Sequence, residues 1–372
     1  MSGFIPVNEP VLDGNEKKYL AQCIDTGWIS SEGPFVRDLE IKFAERIGRK
    51  HGIAVCNGSA ALDAAAAALR LAPGDEVIMP TFTIISCASA ISRLGAKPVV
   101  VDCDAKTWNV DVSAIESRIT PKTKAIMVVH LYGLPVDMTP VMEIANKHNL
   151  KILEDAAEMI GQTYRGKQCG SFGEISTFSF YPNKHITTGE GGMVVTDDDD
   201  LAERTRALRN LFFQPPRRFV HEELGWNFRM TNLQAAVGLA QLERLEEFIV
   251  RKRTSFALYM DLLKDVKGIQ LPVACTDYAD NINWVFGVVL DDAVPFDAQR
   301  AMKQLTDLGV GTRPFFWPMH EQPVFRKMGL FRGEKYPNAE RIARRGFYLP
   351  SGLALTEAQQ LQVADAVKRI LA

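Results

Sequence analysis

Phe178-Ser179-Phe180-Tyr181-Pro182-Asn183-Lys184-His185-Ile186-Thr187-Thr188-Gly189-Glu190-Gly191-Gly192-Met193-Val194-Val195 hangs one lysine on an irregular segment between two apolar, strand-like runs. The flanking runs read as strands over Ile175 to Ser179 and Gly192 to Thr196, and the glycines between them read as turn formers. The same alternation extends from about Leu39 to Leu245. Further strands are expected over Ile53 to Cys56, Glu76 to Met79, Pro98 to Asp102, Ala125 to His130 and Lys151 to Glu154. Helices are expected over Ala60 to Leu71, Ile84 to Leu94, Asp111 to Ile119 and Pro140 to His148. Such alternation is the signature of a layered α/β sheet. Helical periodicity over Thr231 to Leu245 and Glu246 to Leu263 carries the chain out of this large domain. An extended run, Trp284 to Leu290, and two amphipathic segments, Asp297 to Leu308 and Thr356 to Ile370, suffice for a smaller α/β domain. The expected division is 1–248, with an N-terminal arm, and 249–372.

A lysine becomes a nucleophile where its surroundings favour the neutral amine, and a Schiff base with pyridoxal phosphate is the commonest use of such a residue. That cofactor also needs a carboxylate for its ring nitrogen and donors for its phosphate. Ile152-Leu153-Glu154-Asp155 reads as a buried strand ending in an acid, so Asp155 lies where open α/β sheets bind ligands. Ile53 to Leu62 reads as strand, glycine turn and alanine-rich helix. The backbone amides of Gly58, Ser59 and Ala60 would face an anion at the positive end of that helix. Ser179 offers a further hydroxyl.

A chain of 372 residues exceeds the usual span of one core, and 47% apolar with 24% charged residues is ordinary for a globular protein. The formal charge of -2 supplies no attraction to nucleic acid or anionic membrane. Six cysteines without C-x-x-C spacing argue against zinc or iron–sulfur sites and fit a reducing cytoplasm; no metal is expected. Met1 to Pro10 lacks the features of a signal peptide, and no apolar stretch reaches the ~20 residues of a membrane span.

Read in order, Gly27 to Pro34, Asn57 to Leu62, Pro73 to Ile78, Glu154 to Glu158, Asn183-Lys184, Trp226 to Ala236 and Arg313 to His320 resemble the sugar-nucleotide aminotransferases of the DegT type. The resemblance covers almost the whole chain. It implies the fold-type I architecture of aspartate aminotransferase: a large mixed-sheet α/β/α domain with a small C-terminal α/β domain. It implies that Lys184 carries pyridoxal phosphate, passing through pyridoxamine phosphate, and that Asp155 pairs with the ring nitrogen. Ser59, Ala60 and Ser179 would hold the phosphate, joined by Asn227 of a partner subunit in a homodimer. Glu158 falls where relatives place a Gln or Glu beside the phenolic oxygen. Ile84 falls where many relatives stack an aromatic ring on the cofactor, leaving aliphatic packing there unless Phe82 turns in.

Asn183 to Gly192, Trp28 to Ser31 and Arg229 to Asn232 are most similar to members of that family that aminate C4 of a GDP-linked 4-keto-6-deoxyhexose, with glutamate as donor. The loops are shared with relatives acting on dTDP and UDP sugars, which leaves the nucleotide open.

Plainer roles stand beside these. Asp155 could cap the following segment, Glu158 could be a surface acid, and Gly189, Gly191 and Gly192 are best explained by turn geometry. His320 is read as lining the sugar pocket, with a core histidine as the alternative, and His185 as shaping the site beside the lysine. Arg229 and Arg313 are candidate pyrophosphate or carboxylate partners, or surface ion pairs. A sugar 3-dehydratase on the same fold is disfavoured by the retained Lys184, and a noncatalytic sensor by the intact lysine, aspartate and phosphate set.

Overall fold

Short apolar runs separated by amphipathic segments build the larger sheet. The computed structural model describes residues 3–372. It begins with α1 (Glu16–Thr26) and α2 (Pro34–Ile47), then β1 (His51–Val55), α3 (Gly58–Ala68), β2 (Glu76–Pro80), α4 (Ile85–Arg93) and β3 (Lys97–Val101). There follow β4 (Thr123–Val129), α5 (Met138–His148), β5 (Lys151–Asp155), the small hairpin β6 (Thr163–Tyr164) and β7 (Lys167–Gln168), β8 (Ile175–Ser179), β9 (Gly192–Thr196) and α6 (Asp199–Arg209). The seven strands lie in the order β1-β9-β8-β5-β4-β2-β3, and β9 alone runs antiparallel to its neighbours.

Side-chain alternation explains why these strands are apolar on both faces. Val77, Met79, Ala125 and Met127 enter one core cluster, while Ile78, Ile126 and Val128 enter the cluster on the opposite face. Each large side chain so buried contributes about 1.5–3 kcal/mol relative to exposure.

The chain then passes through α7 (Asn232–Leu242) and α8 (Leu245–Leu263). Thr231 and Gln234 start α7 with a reciprocal capping box. Helix α8 spans both units, since Leu245 and Phe248 join the core of the large sheet whereas Phe256, Tyr259 and Leu263 join a third core. That third core belongs to an antiparallel sheet of β10 (Ile269–Gln270), β11 (Phe286–Leu290), β12 (Arg313–Pro314) and β13 (Gly346–Leu349), ordered β10-β11-β13-β12. It is covered by α9 (Ala298–Asp307) and α12 (Glu357–Leu371), with α10 (Pro323–Lys327) and α11 (Pro337–Arg345) in the intervening chain.

Two features differ from expectation. Asp111 to Ile119 forms two short 3-10 turns instead of one helix, because Asp111 accepts from the Ser113 amide and hydroxyl and so tightens the turn at its start. The N-terminal arm also reaches the small sheet's core: Ile5 is buried there and pairs with Val310. No helix among the described residues is long and apolar enough to cross a membrane.

Candidate active site

The parallel strands β2, β4, β5 and β8 all deliver their carboxyl ends to one edge of the sheet, and a cavity of about 610 Å³ opens there. Val129, Asp155, Phe178 and Ser179 reach it from strand ends, and Thr83 and Ile84 from the segment after β2. Asn57, Gly58 and Ser59 come from the start of α3, Asn183 and Lys184 from the β8–β9 loop, and Trp284, Phe316 and Tyr348 from the C-terminal part of the chain.

The lysine loop is tied from within. The Thr188 amide and the Thr187 hydroxyl both donate to the Phe180 carbonyl, at 3.0 and 2.8 Å. The indole N–H of Trp284 donates to the Asn183 carbonyl at 2.8 Å. Lys184 Nζ lies 3.8 Å from the centre of the Trp284 ring. Burial pushes the lysine below its ordinary range, opposed by the nearby carboxyls of Glu158 and Asp155. That is the electrostatic condition a nucleophilic amine requires.

Asp155 ends β5 and is 3% exposed. Its carboxyl accepts from the Cys87 thiol at 3.3 Å, the Ala157 amide at 3.1 Å and the Thr177 hydroxyl at 3.5 Å. Burial raises its pKa despite these donors. The capping role is therefore present, through Ala157, and coexists with a carboxylate that opens onto the cavity. Glu154, one residue earlier, points the other way into a bonded set of its own with His130 at 3.0 Å and the amides of Gly170 and Phe172.

Glu158 is buried and lines the cavity; it is not a surface acid. Its Oε2 accepts from the Tyr132 amide at 2.6 Å, and burial raises its pKa to about 8.

At the start of α3 the extended backbone of Asn57 lets its side chain accept from the Ala60 amide at 2.8 Å. This consumes the amide that the sequence reading assigned to phosphate, and Ala60 does not line the cavity. The Gly58 and Ser59 amides, in the first helical turn, have no acceptor in the chain among the described residues. Ser59 Oγ lies 2.7 Å from Ser86 Oγ, a second hydroxyl at the cavity. A Cβ on Gly58 would sit 2.8 Å from Ser179 Cβ, so glycine keeps this concavity open.

Several expected residues fall elsewhere. His320 is 1% exposed and bonded through both nitrogens, to Thr81 Oγ1 at 2.8 Å and Glu340 at 3.1 Å; it is a core histidine outside the pocket. His185 also turns into the interior, where burial first, then the Lys252 charge, push its imidazole down to about 3 and keep it neutral. Phe82 does not turn in, being fully buried among Tyr132, Phe315 and Phe316, whereas Ile84 faces the cavity with 41% exposure. Arg313 is exposed on β12 and pairs with Tyr348, which lines the cavity; Arg313 itself does not. Arg229 lines a separate cavity of about 190 Å³ with Arg206 and Arg209, and its guanidinium donates to Asn227 Oδ1 at 2.8 Å. Asn227 is exposed and outside the cavity of its own chain.

Sequence reasoning missed Asn57, Ser86, Cys87, Trp284, Phe316 and Tyr348. The N-cap pattern Asn-Gly-Ser-Ala could have exposed the first; the aromatic residues reach the site only through long-range folding.

A model of the DegT/DnrJ/EryC1/StrS aminotransferase family matches residues 10–368. The chain is 44% identical to GDP-perosamine synthase of Caulobacter vibrioides, over 99% of this chain and 98% of the relative. It is 42% identical to GDP-perosamine synthase of Escherichia coli O157:H7, over 98% of each. Among solved structures, DesV of S. venezuelae superposes with a TM-score of 0.91 at 34% identity, covering 99% of this chain and 98% of that one.

Proposed function

The chain belongs to the DegT/DnrJ/EryC1/StrS aminotransferase family and is a pyridoxal-phosphate-dependent sugar-nucleotide aminotransferase, and from this we propose that it transfers the amino group of glutamate to C4 of a GDP-linked 4-keto-6-deoxyhexose, making GDP-perosamine. Full-length likeness to two GDP-perosamine synthases carries the choice of substrate. The product would serve O-antigen and lipopolysaccharide synthesis in the cytoplasm.

The residues present fit the cofactor. Asp155 is a buried carboxyl surrounded by a thiol, an amide and a hydroxyl, and a protonated ring nitrogen would give it the cation that burial calls for. The unpaired Gly58 and Ser59 amides, with the hydroxyls of Ser59 and Ser179, are suited to a phosphate. Asn227 of the partner subunit would add to it in a homodimer. Glu158, neutral near pH 7, would donate to the phenolic oxygen. Ile84 would pack on the ring by dispersion alone. Bound there, pyridoxal phosphate supplies an aldehyde to carry the amine and a pyridinium ring that accepts electrons.

Lys184 would hold the cofactor at rest and, with its amine free and neutral, would take the proton from the α-carbon of glutamate. It later works in the reverse sense at C4 of the sugar. Asp155 would keep the ring nitrogen protonated through both halves. Glutamate leaves as 2-oxoglutarate before the ketosugar is aminated, so ping-pong kinetics are expected.

The test is a panel of GDP-, dTDP- and UDP-linked 4-ketosugars, with glutamate-dependent release of 2-oxoglutarate as readout. The GDP sugar should give the highest kcat/KM. A dTDP or UDP sugar turned over faster would replace the substrate assignment while leaving the class intact.

A further inference from the structure

Trp284 is 3% exposed and its ring face is presented to the reactive amine at 3.8 Å. Nothing in the mechanism above uses it. An indole face carries negative quadrupolar density, so an ammonium in this desolvated position is held more strongly than at a surface. The indole is itself fixed from several directions. Its N–H donates to the carbonyl of Asn183, the residue preceding the lysine, which ties the ring to the lysine's own backbone. Tyr132 lies nearly parallel to it, 6.0 Å between ring centres and tilted by 11°. Its carbonyl accepts from the buried Lys252 Nζ at 2.8 Å.

The backbone before Trp284 is equally determined. Asn283 adopts φ +58, a left-handed conformation that asparagine tolerates better than most residues, and its amide donates to Asn281 Oδ1 at 2.7 Å. The Ile282 amide donates to the Gly133 carbonyl at 3.0 Å, anchoring the segment to the loop after β4. This turn aims the indole back over the lysine loop.

We propose that the face of Trp284 is the resting place of the Lys184 ammonium once the freed lysine has taken up a proton, making Trp284 a positioning residue for the catalytic amine. The inference rests on the reading of Lys184 given above. A lysine side chain released into an open cavity of about 610 Å³ has many rotamers to sample. The indole restricts it to one place beside Asp155 and Glu158, and retains the proton that it has to return.

The experiment measures how the labelling of Lys184 by acetic anhydride depends on pH, read by mass spectrometry on the full-length, cofactor-free protein. Trp284→Leu removes the aromatic face and should lower the labelling midpoint by about one pH unit, equal to about 1.4 kcal/mol. Trp284→Phe keeps a face and should recover most of the shift. Biosynthetic replacement of tryptophan by its fluorinated analogues preserves shape and weakens the face, which covers the case in which Trp284→Leu does not fold. The midpoint should then fall with each added fluorine, because no other tryptophan faces Lys184.

An unchanged midpoint in Trp284→Leu, or across the fluorinated series, would overturn the proposal. In parallel, borohydride fixation of pyridoxal phosphate is mapped in each protein. Fixation on Lys184 with an unmoved midpoint removes Trp284 alone, whereas absent fixation on Lys184 in the wild type removes the reading of the site.

Discussion

Glu158→Gln isolates the electrostatics of the cavity in one atom exchange. The carboxyl is buried with one backbone donor, the Tyr132 amide, and a glutamine oxygen can accept the same bond. Burial raises the acid from an ordinary value of 4.5 to about 8. Between these values the folded chain holds a proton that the unfolded chain releases. Stability of the wild type therefore falls as pH rises through this window, and glutamine abolishes the loss. At about 1.4 kcal/mol per pH unit, the variant should exceed the wild type by under about 1 kcal/mol at pH 5, about 3 at pH 7 and about 4 to 5 above pH 8. Urea unfolding of the two cofactor-free proteins at pH 5, 7 and 8.5 measures the difference directly, and contributions of other groups cancel. A gap of the same size at all three values would refute the reasoning, since Glu158 would then ionise like an exposed acid and have no proton to donate at neutral pH.

Asp155→Asn should fold normally yet slow both half-reactions by about 10²–10³, the usual cost of one preorganised electrostatic partner, in single-turnover measurements with glutamate and with ketosugar. Gly58→Ala drives a methyl to 2.8 Å from Ser179 Cβ and should weaken pyridoxal phosphate binding about tenfold or more, by fluorescence titration of the cofactor-free protein. Lys252 is depressed to about 7 by burial, so wild-type stability should gain a contribution as pH rises from about 7 towards 10.5. Lys252→Met should lack that rise in the same denaturation series.

The large sheet is legible because Ile152-Leu153 in β5 and Met193-Val194-Val195 in β9 are buried apolar cores of short strands bounded by glycine or acid, while β8 shows only Ile175 and Phe178 among serines and threonine. Asp155 is legible because it ends a strand, and Lys184 because it stands on the irregular segment between two of them. Direction is harder to read. His185 and His320 look like site residues in the sequence, yet adjacent side chains diverge, and both histidines turn into packed interiors. Ala60 lies in the same motif as Gly58 and Ser59, but the side chain of Asn57 takes its amide, a competition between cap and ligand invisible to spacing. Trp284 stands 100 residues beyond Lys184 in sequence number, and only the folding of the small sheet against the large one sets it over the amine. The segment from Asp111 to Ile119 has enough apolar residues for a helix and loses it to local side-chain bonding.

Which amine receives the cofactor decides the chemistry of the site, and the structure supplies its own control. Lys184 is half-buried and Lys252 fully buried, both with depressed proton affinity, but Lys252 spends its ammonium on the carbonyls of Trp284 and Ser351, away from the cavity. Borohydride reduction of the protein loaded with pyridoxal phosphate, followed by peptide mapping, should find the cofactor on Lys184 alone, with Lys184→Ala unlabelled and inactive. Label on Lys252, or a Lys184→Ala variant that still aminates the ketosugar at a comparable rate, would contradict it.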